Sequence, residues 1–205
     1  MKTLQTLGFA VTTLALAACG SQSPEQPRAG GAQAGCMTRA YDNIGGPISL
    51  VSHTGEAVTE ENFKGRPTLI YFGFTYCPDI CPGTLVAVKN AYDRLPDGIA
   101  PPQTVLITVD PERDTPEQLA IYVDNAAFPD NLVGLTGTPE QVRAAADVFL
   151  ADFSKIALEG SRSEYTMDHT SLLYLMGNDW TLKTFFAETA HDPEAMAECL
   201  AQHLR

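Results

Sequence analysis

Thr68-Leu69-Ile70-Tyr71-Phe72-Gly73-Phe74-Thr75-Tyr76-Cys77-Pro78-Asp79-Ile80-Cys81-Pro82 decides the fold. Its first seven residues are a continuous, aromatic-rich apolar run, the pattern of a strand buried on both faces. Beyond the cysteines, Leu85, Val88, Tyr92 and Leu95 recur at spacings of three and four, which lays one apolar stripe along a helix. A strand, a cysteine-bearing turn and a helix therefore follow one another without a gap.

The alternation continues on both sides. Ile48 to Val51 reads as a short strand entering a turn at His53-Thr54-Gly55-Glu56, and Thr104 to Val109 as a second buried strand. Thr115-Pro116-Glu117-Gln118 and Thr138-Pro139-Glu140-Gln141 each combine a capping threonine, proline at the first helical position and glutamine at the capping-box position, so a helix starts at each. Ser171 to Met176 and Thr181 to Phe186 flank Asn178-Asp179 as a hairpin, and Asp192-Pro193 opens a last helix with Met196, Leu200 and Leu204 on one face. Strands alternating with helices predict an α/β fold with a central mixed sheet flanked by helices.

The chain has 205 residues, 25 Asp+Glu against 13 Lys+Arg, and a formal net charge of −12. That balance, with no basic run, argues against nucleic acid as a partner. The amino terminus reads as an export signal over residues 1–18: Lys2, then an apolar stretch, then small residues. Its end, Leu16-Ala17-Ala18-Cys19-Gly20, resembles the bacterial lipobox, in which the chain is cut before the cysteine and that thiol receives a lipid. Residues 19–40 then form a lipidated Cys19 and a Gly-, Ala- and Pro-rich tether, and residues 41–205 the folded domain. The expected location is the cell membrane, anchored by lipid, with the domain in the periplasm or facing outward.

Cys77 and Cys81 are four apart, so a helix beginning within the motif stacks both sulfurs on one side near its positive end, which favours thiolate. Two thiolates fall short of a closed zinc site. His169, before the strand at Ser171, is placed by an α/β sheet where it could face the cysteine turn. Two soft thiolates and an imidazole suit copper as Cu(I) or Cu(II). His53 and His191 read as solvated surface residues, and His203 as a cation complementing the dipole of the last helix.

Tyr71-Phe72-Gly73-Phe74-Thr75 leading into Cys77-Pro78-Asp79-Ile80-Cys81-Pro82, then Val109-Asp110-Pro111-Glu112-Arg113-Asp114-Thr115-Pro116, then Tyr165-Thr166-Met167-Asp168-His169-Thr170, resemble the Sco/SenC family over roughly Ile48 to Leu204. The resemblance implies a thioredoxin-like fold with an N-terminal hairpin extension, and copper on Cys77, Cys81 and His169. It also implies assistance in assembling the copper centre of cytochrome c oxidase, by copper delivery, by reduction of that centre's cysteines, or both. Partners would be the subunit bearing that centre and a thiol reductant or copper donor protein.

Cys36 and Cys199 fall outside the family pattern. They remain as candidates for a structural disulfide worth about 3–5 kcal/mol in chain-entropy terms, or as two unrelated thiols. Asp110 and Asp168 are candidates to orient His169 or tune the thiolates. Arg113 and Asp114 read as capping and surface salt-bridging residues, and Met167 as packing material sharing a face with His169. The competing class is a thiol–disulfide oxidoreductase or redox-signalling protein on the same fold. Its usual Cys-x2-Cys spacing and its proline before the next strand are both missing here, where Thr170 stands in the proline's place.

Overall fold

The computed structural model describes residues 36, 43–160, 163–187 and 192–205. The signal, Cys19, most of the tether and His191 lie outside the described residues.

The apolar run becomes β3 (Thr68–Gly73), buried at every position, and the strand after it becomes β4 (Gln103–Thr108), equally buried. The two pair in parallel, and β5 (Leu132–Thr136) continues the parallel set on the far side of β4. β1 (Ser49–Ser52) and β2 (Ala57–Thr59) form the N-terminal hairpin, which joins the sheet antiparallel through β5. On the other side β8 (Leu172–Met176) pairs antiparallel with β3, and β9 (Leu182–Ala187) with β8. The order β2-β1-β5-β4-β3-β8-β9 is the mixed sheet that the alternation of strands and helices predicts, in the thioredoxin-like arrangement that the family resemblance implies, with β3 near its centre.

Among the described residues four α-helices flank it: α1 (Ile80–Tyr92), α2 (Pro116–Val123), α3 (Pro139–Val148) and α4 (Pro193–His203). Thr115 and Thr138 cap α2 and α3 by accepting from the N–H groups of Gln118 and Gln141; only in α3 does the glutamine side chain close the expected capping box, its Oε1 accepting from the Thr138 N–H at 2.8 Å. α4 packs beside α1, and a disulfide joins Cys199 of α4 to Cys36, with Cα atoms 5.4 Å apart across a separation of 163 residues. Closing a loop of that length restricts the unfolded chain by about 5 kcal/mol in the entropy model.

The sequence did not reveal β5, nor a separate two-stranded sheet of β6 (Phe153–Ala157) and β7 (Tyr165–His169). β5 carries Gly134 at its middle, paired with Leu106. A Cβ there would lie 3.2 Å from Leu119 Cβ and 3.3 Å from Val123 Cγ1, so glycine lets α2 lie close on the strand. Four of the five β6 residues are exposed, so that strand carries no buried alternation. His169 therefore does not simply precede the strand after it. It ends a strand of its own in a hairpin outside the main sheet.

Candidate metal centre

The site is built where β3 ends and α1 begins. α1 starts at Ile80, which puts Cys81 in its first turn and leaves Cys77 just ahead of the helix. Asp79, the residue at the capping position, makes no side-chain cap; the orphan N–H of Cys81 donates instead to Cys77 Sγ at 3.3 Å. The four-residue spacing thus brings the sulfurs together by making one of them part of the helix cap. Pro82 sits in the first turn, where its missing N–H costs no bond.

The sulfurs differ in chemistry. The Cys77 thiol is lowered from its ordinary 9.0 to about 6, chiefly by a hydrogen bond from Cys81 and further by the N–H groups of Cys81, Asp79 and Ile80, against the opposing effect of burial. Cys81 is pushed strongly upward by that same bond and by burial, while bonds from Tyr71 and the Phe74 N–H act the other way. A half-buried thiolate therefore stands beside a fully buried thiol. Gly73 makes room for it, since a Cβ would lie 3.3 Å from Cys81 Sγ and 2.9 Å from Tyr71 Cε1.

His169 approaches from β7. Its Nε2 is 3.9 Å from Cys81 Sγ, and its ring stands edge-on to Phe74 and Tyr71 with centroids 5.9 and 6.3 Å away. Nδ1 lies 3.1 Å from the Thr170 carbonyl, which only accepts, so a proton belongs on Nδ1, and Nε2 is the ring nitrogen turned towards Cys81. Cys77, His169 and Asp168 line one cavity of about 370 Å³ with Ile80, Thr166 and Met167. Two sulfur donors and an imidazole nitrogen, with Cys77 and His169 at the cavity wall, form a set suited to a soft metal ion.

The residues expected to support the histidine act differently from expectation. Asp168 is exposed, and the Thr170 carbonyl takes the bond to Nδ1. Asp110 is buried but accepts from the Tyr165 hydroxyl at 2.8 Å and from Arg113 Nε, so it grips the start of β7 rather than its histidine. Met167 is buried and packs against the core.

Arg113 and Asp114 do more than capping and surface pairing. The Arg113 guanidinium lies 3.7 Å from the Tyr165 ring centroid and 4.6 Å from that of Tyr76, and Nη1 donates to the Tyr165 carbonyl at 3.1 Å. Arg113 thus ties the histidine hairpin to the residue preceding Cys77. Asp114 is fully buried and accepts from the Thr75 N–H, the Thr75 hydroxyl and the Thr108 hydroxyl. These bonds fix the turn between β3 and Cys77, although burial raises the Asp114 pKa. His53, read as solvated, is half-buried and its Nδ1 accepts from the Gly134 N–H at 3.1 Å. Tyr71, Thr75 and Tyr165 were missed as supporting residues; their only signal was membership of the three motif blocks.

The family model described as SCO1/SenC matches residues 37–205. The chain belongs to the SCO1/SenC family. This SCO1/SenC chain is 41% identical over 165 residues to the human protein described as "Protein SCO1 homolog, mitochondrial", a match covering 79% of the chain and 53% of the relative. It is 37% identical over 166 residues to the Arabidopsis thaliana "Protein SCO1 homolog 1, mitochondrial", covering 79% and 47%. The chain therefore spans about half the length of these curated relatives. Among solved structures it is similar to A. thaliana ScoI with copper bound, at TM-score 0.73 and 37% identity over 79% of this chain and 98% of that one. It is also similar to Bradyrhizobium japonicum ScoI with copper bound, at TM-score 0.67 and 36% identity over 78% and 99%.

Proposed function

We propose that this SCO1/SenC chain handles copper as cargo, holding it on Cys77, Cys81 and His169, and assists assembly of the copper centre of cytochrome c oxidase. The observation that carries this reading is His169 Nε2 turned towards Cys81, with the Cys77 thiolate bonded to that same cysteine. Two of the solved structures it resembles, both above 35% identity, are of proteins with copper bound. The thiolates suit Cu(I), and the imidazole adds a donor that Cu(II) also accepts. The reading includes the lipid anchor on Cys19 and an outward-facing domain, supported by the Leu16-Ala17-Ala18-Cys19 sequence. Among the described residues, no helix is long and apolar enough to cross a membrane.

One observation favours a second activity at the same atoms. A thiol lowered to about 6 with a partner sulfur in hydrogen-bond reach is equipped to attack a disulfide and then resolve the mixed disulfide. Reduction of the oxidase centre's cysteines would use this chemistry, as would a general thiol–disulfide reductase.

Titration of the reduced chain and of His169→Ala with Cu(I) and Cu(II) tests the copper reading. We expect one copper per reduced chain, and a loss of Cu(II) affinity in the variant of about tenfold or more, larger than the loss for Cu(I). Equal affinities in the two proteins would take His169 out of the site and leave the reductase reading.

A further inference from the structure

Cys36 and Cys199 carry a second set of donors, outside the site described above. Both are buried, at 2% and 0% exposure. Cys199 and His203 are four residues apart on α4, so their side chains stack one turn above the other. The two sulfurs and an imidazole nitrogen of His203 all lie within 4.8 Å of one another. The donor types repeat those of Cys77, Cys81 and His169, with two cysteines and one histidine and one pair at a spacing of four.

We propose that Cys36, Cys199 and His203 form a redox-gated Cu(I) site, in which the disulfide and the bound ion are alternative closures of the same junction. A dithiol reductant supplies two electrons and two protons to the Cys36–Cys199 bond, leaving two thiols here and its own disulfide. Cu(I) then displaces both thiol protons to solvent and binds two thiolates and the imidazole. Three donors of this softness suit Cu(I), whereas structural zinc requires a fourth. Either closure keeps Cys36 fixed to α4, the helix packed beside the Cys81-bearing α1. Exchange with a partner disulfide, which takes the two electrons and two protons from solvent to become a dithiol, re-forms the Cys36–Cys199 bond and releases Cu(I), so the junction takes up metal only where dithiols are in excess.

The test uses the full chain carrying Cys77→Ser and Cys81→Ser, which removes the first thiol pair, titrated anaerobically with Cu(I) against a chromogenic Cu(I) chelator. Reduced protein should bind one Cu(I), and the same protein with its disulfide intact should bind none. Adding His203→Ala should weaken the reduced site by at least about tenfold, the loss typical of a disturbed metal site, while the disulfide still forms. Cu(I) should also raise the melting temperature of the reduced chain, and raise it less in the His203→Ala form. No binding by the reduced chain, affinity indifferent to His203, or a reduced chain that Cu(I) leaves no more stable would each overturn the proposal.

Discussion

Cys81→Ala separates the two ways in which this fold activates Cys77. In the metal-free, reduced chain the hydrogen bond from Cys81 is the largest cause lowering Cys77 to about 6, with the N–H groups of Cys81, Asp79 and Ile80 adding to it. At that midpoint about nine-tenths of Cys77 is thiolate at pH 7 and about one-tenth at pH 5. The substitution deletes the side-chain donor and retains the N–H that lies 3.3 Å from Cys77 Sγ. With the largest cause gone and the helix-start groups kept, the midpoint should rise to about 8, leaving about one-tenth thiolate at pH 7.

The readout is the pH midpoint of ultraviolet thiolate absorbance, checked by the pH profile of alkylation. A rate at a single pH would mislead, because nucleophilicity rises with pKa and offsets the smaller thiolate fraction. Cys81→Ser, which keeps a hydroxyl donor, should fall between the two. Stability follows the same linkage. Because the folded pKa lies below the ordinary 9.0, the reduced chain gains stability as pH rises from about 6 towards 9 and loses it as pH falls through about 6. Cys81→Ala should flatten that slope. A midpoint that stays near 6 would refute the reasoning and place the activation in the helix-start N–H groups.

Two further outcomes follow from the packing around the site. Gly73→Ala should destabilise the chain by about 1–3 kcal/mol in urea denaturation, because the new Cβ meets Tyr71 Cε1 at 2.9 Å and Leu106 Cδ1 at 3.1 Å in a buried strand. Arg113→Ala should speed amide hydrogen exchange in β6 and β7 with little change in β3 and β4, and should weaken copper binding. Arg113→Lys should not restore protection, since a lysine cannot bond Asp110 and the Tyr165 carbonyl while stacking on the Tyr165 ring.

What could be read in advance follows the range of the interactions involved. β3 and α1 were legible because continuous apolar runs and stripes at spacings of three and four are local patterns, and the caps of α2 and α3 because they close within four residues. β5 was hidden by Gly134, whose reason is Leu119 and Val123 of α2, fifteen and eleven residues earlier in the chain. Cys77, Cys81 and His169 stood out because few other roles need soft donors at that spacing. Asp114 could not be read as it proved to be. Its partner Thr75 lies 39 residues away, and nothing in Arg-Asp-Thr-Pro distinguishes a solvated carboxylate from one buried to hold a turn.

The three candidate donors are held by supports of unequal strength. Cys77 and Cys81 sit at a junction of a fully buried strand, bonded to a neighbour on each side, with a helix packed against the core. Displacing them would disturb the centre of the sheet. His169 ends a two-stranded ribbon, an element of marginal stability when isolated. That ribbon is fastened by side chains at both ends: Tyr165 on Asp110 and Arg113 on Tyr165 and Tyr76 at one, and Arg143 on the ring and carbonyl of Phe153, the residue paired with His169, at the other. Local opening draws on the least supported elements first. The histidine should therefore leave the cysteines long before the cysteines leave each other, and the Asp110–Arg113–Tyr165 clamp and the Arg143–Phe153 contact together set how often it does. Hydrogen exchange should rank β7 as less protected than β3 and α1, with the gap widening when Arg113 is removed; equal protection in the three would mean that the hairpin is held by the core and the clamp is superfluous.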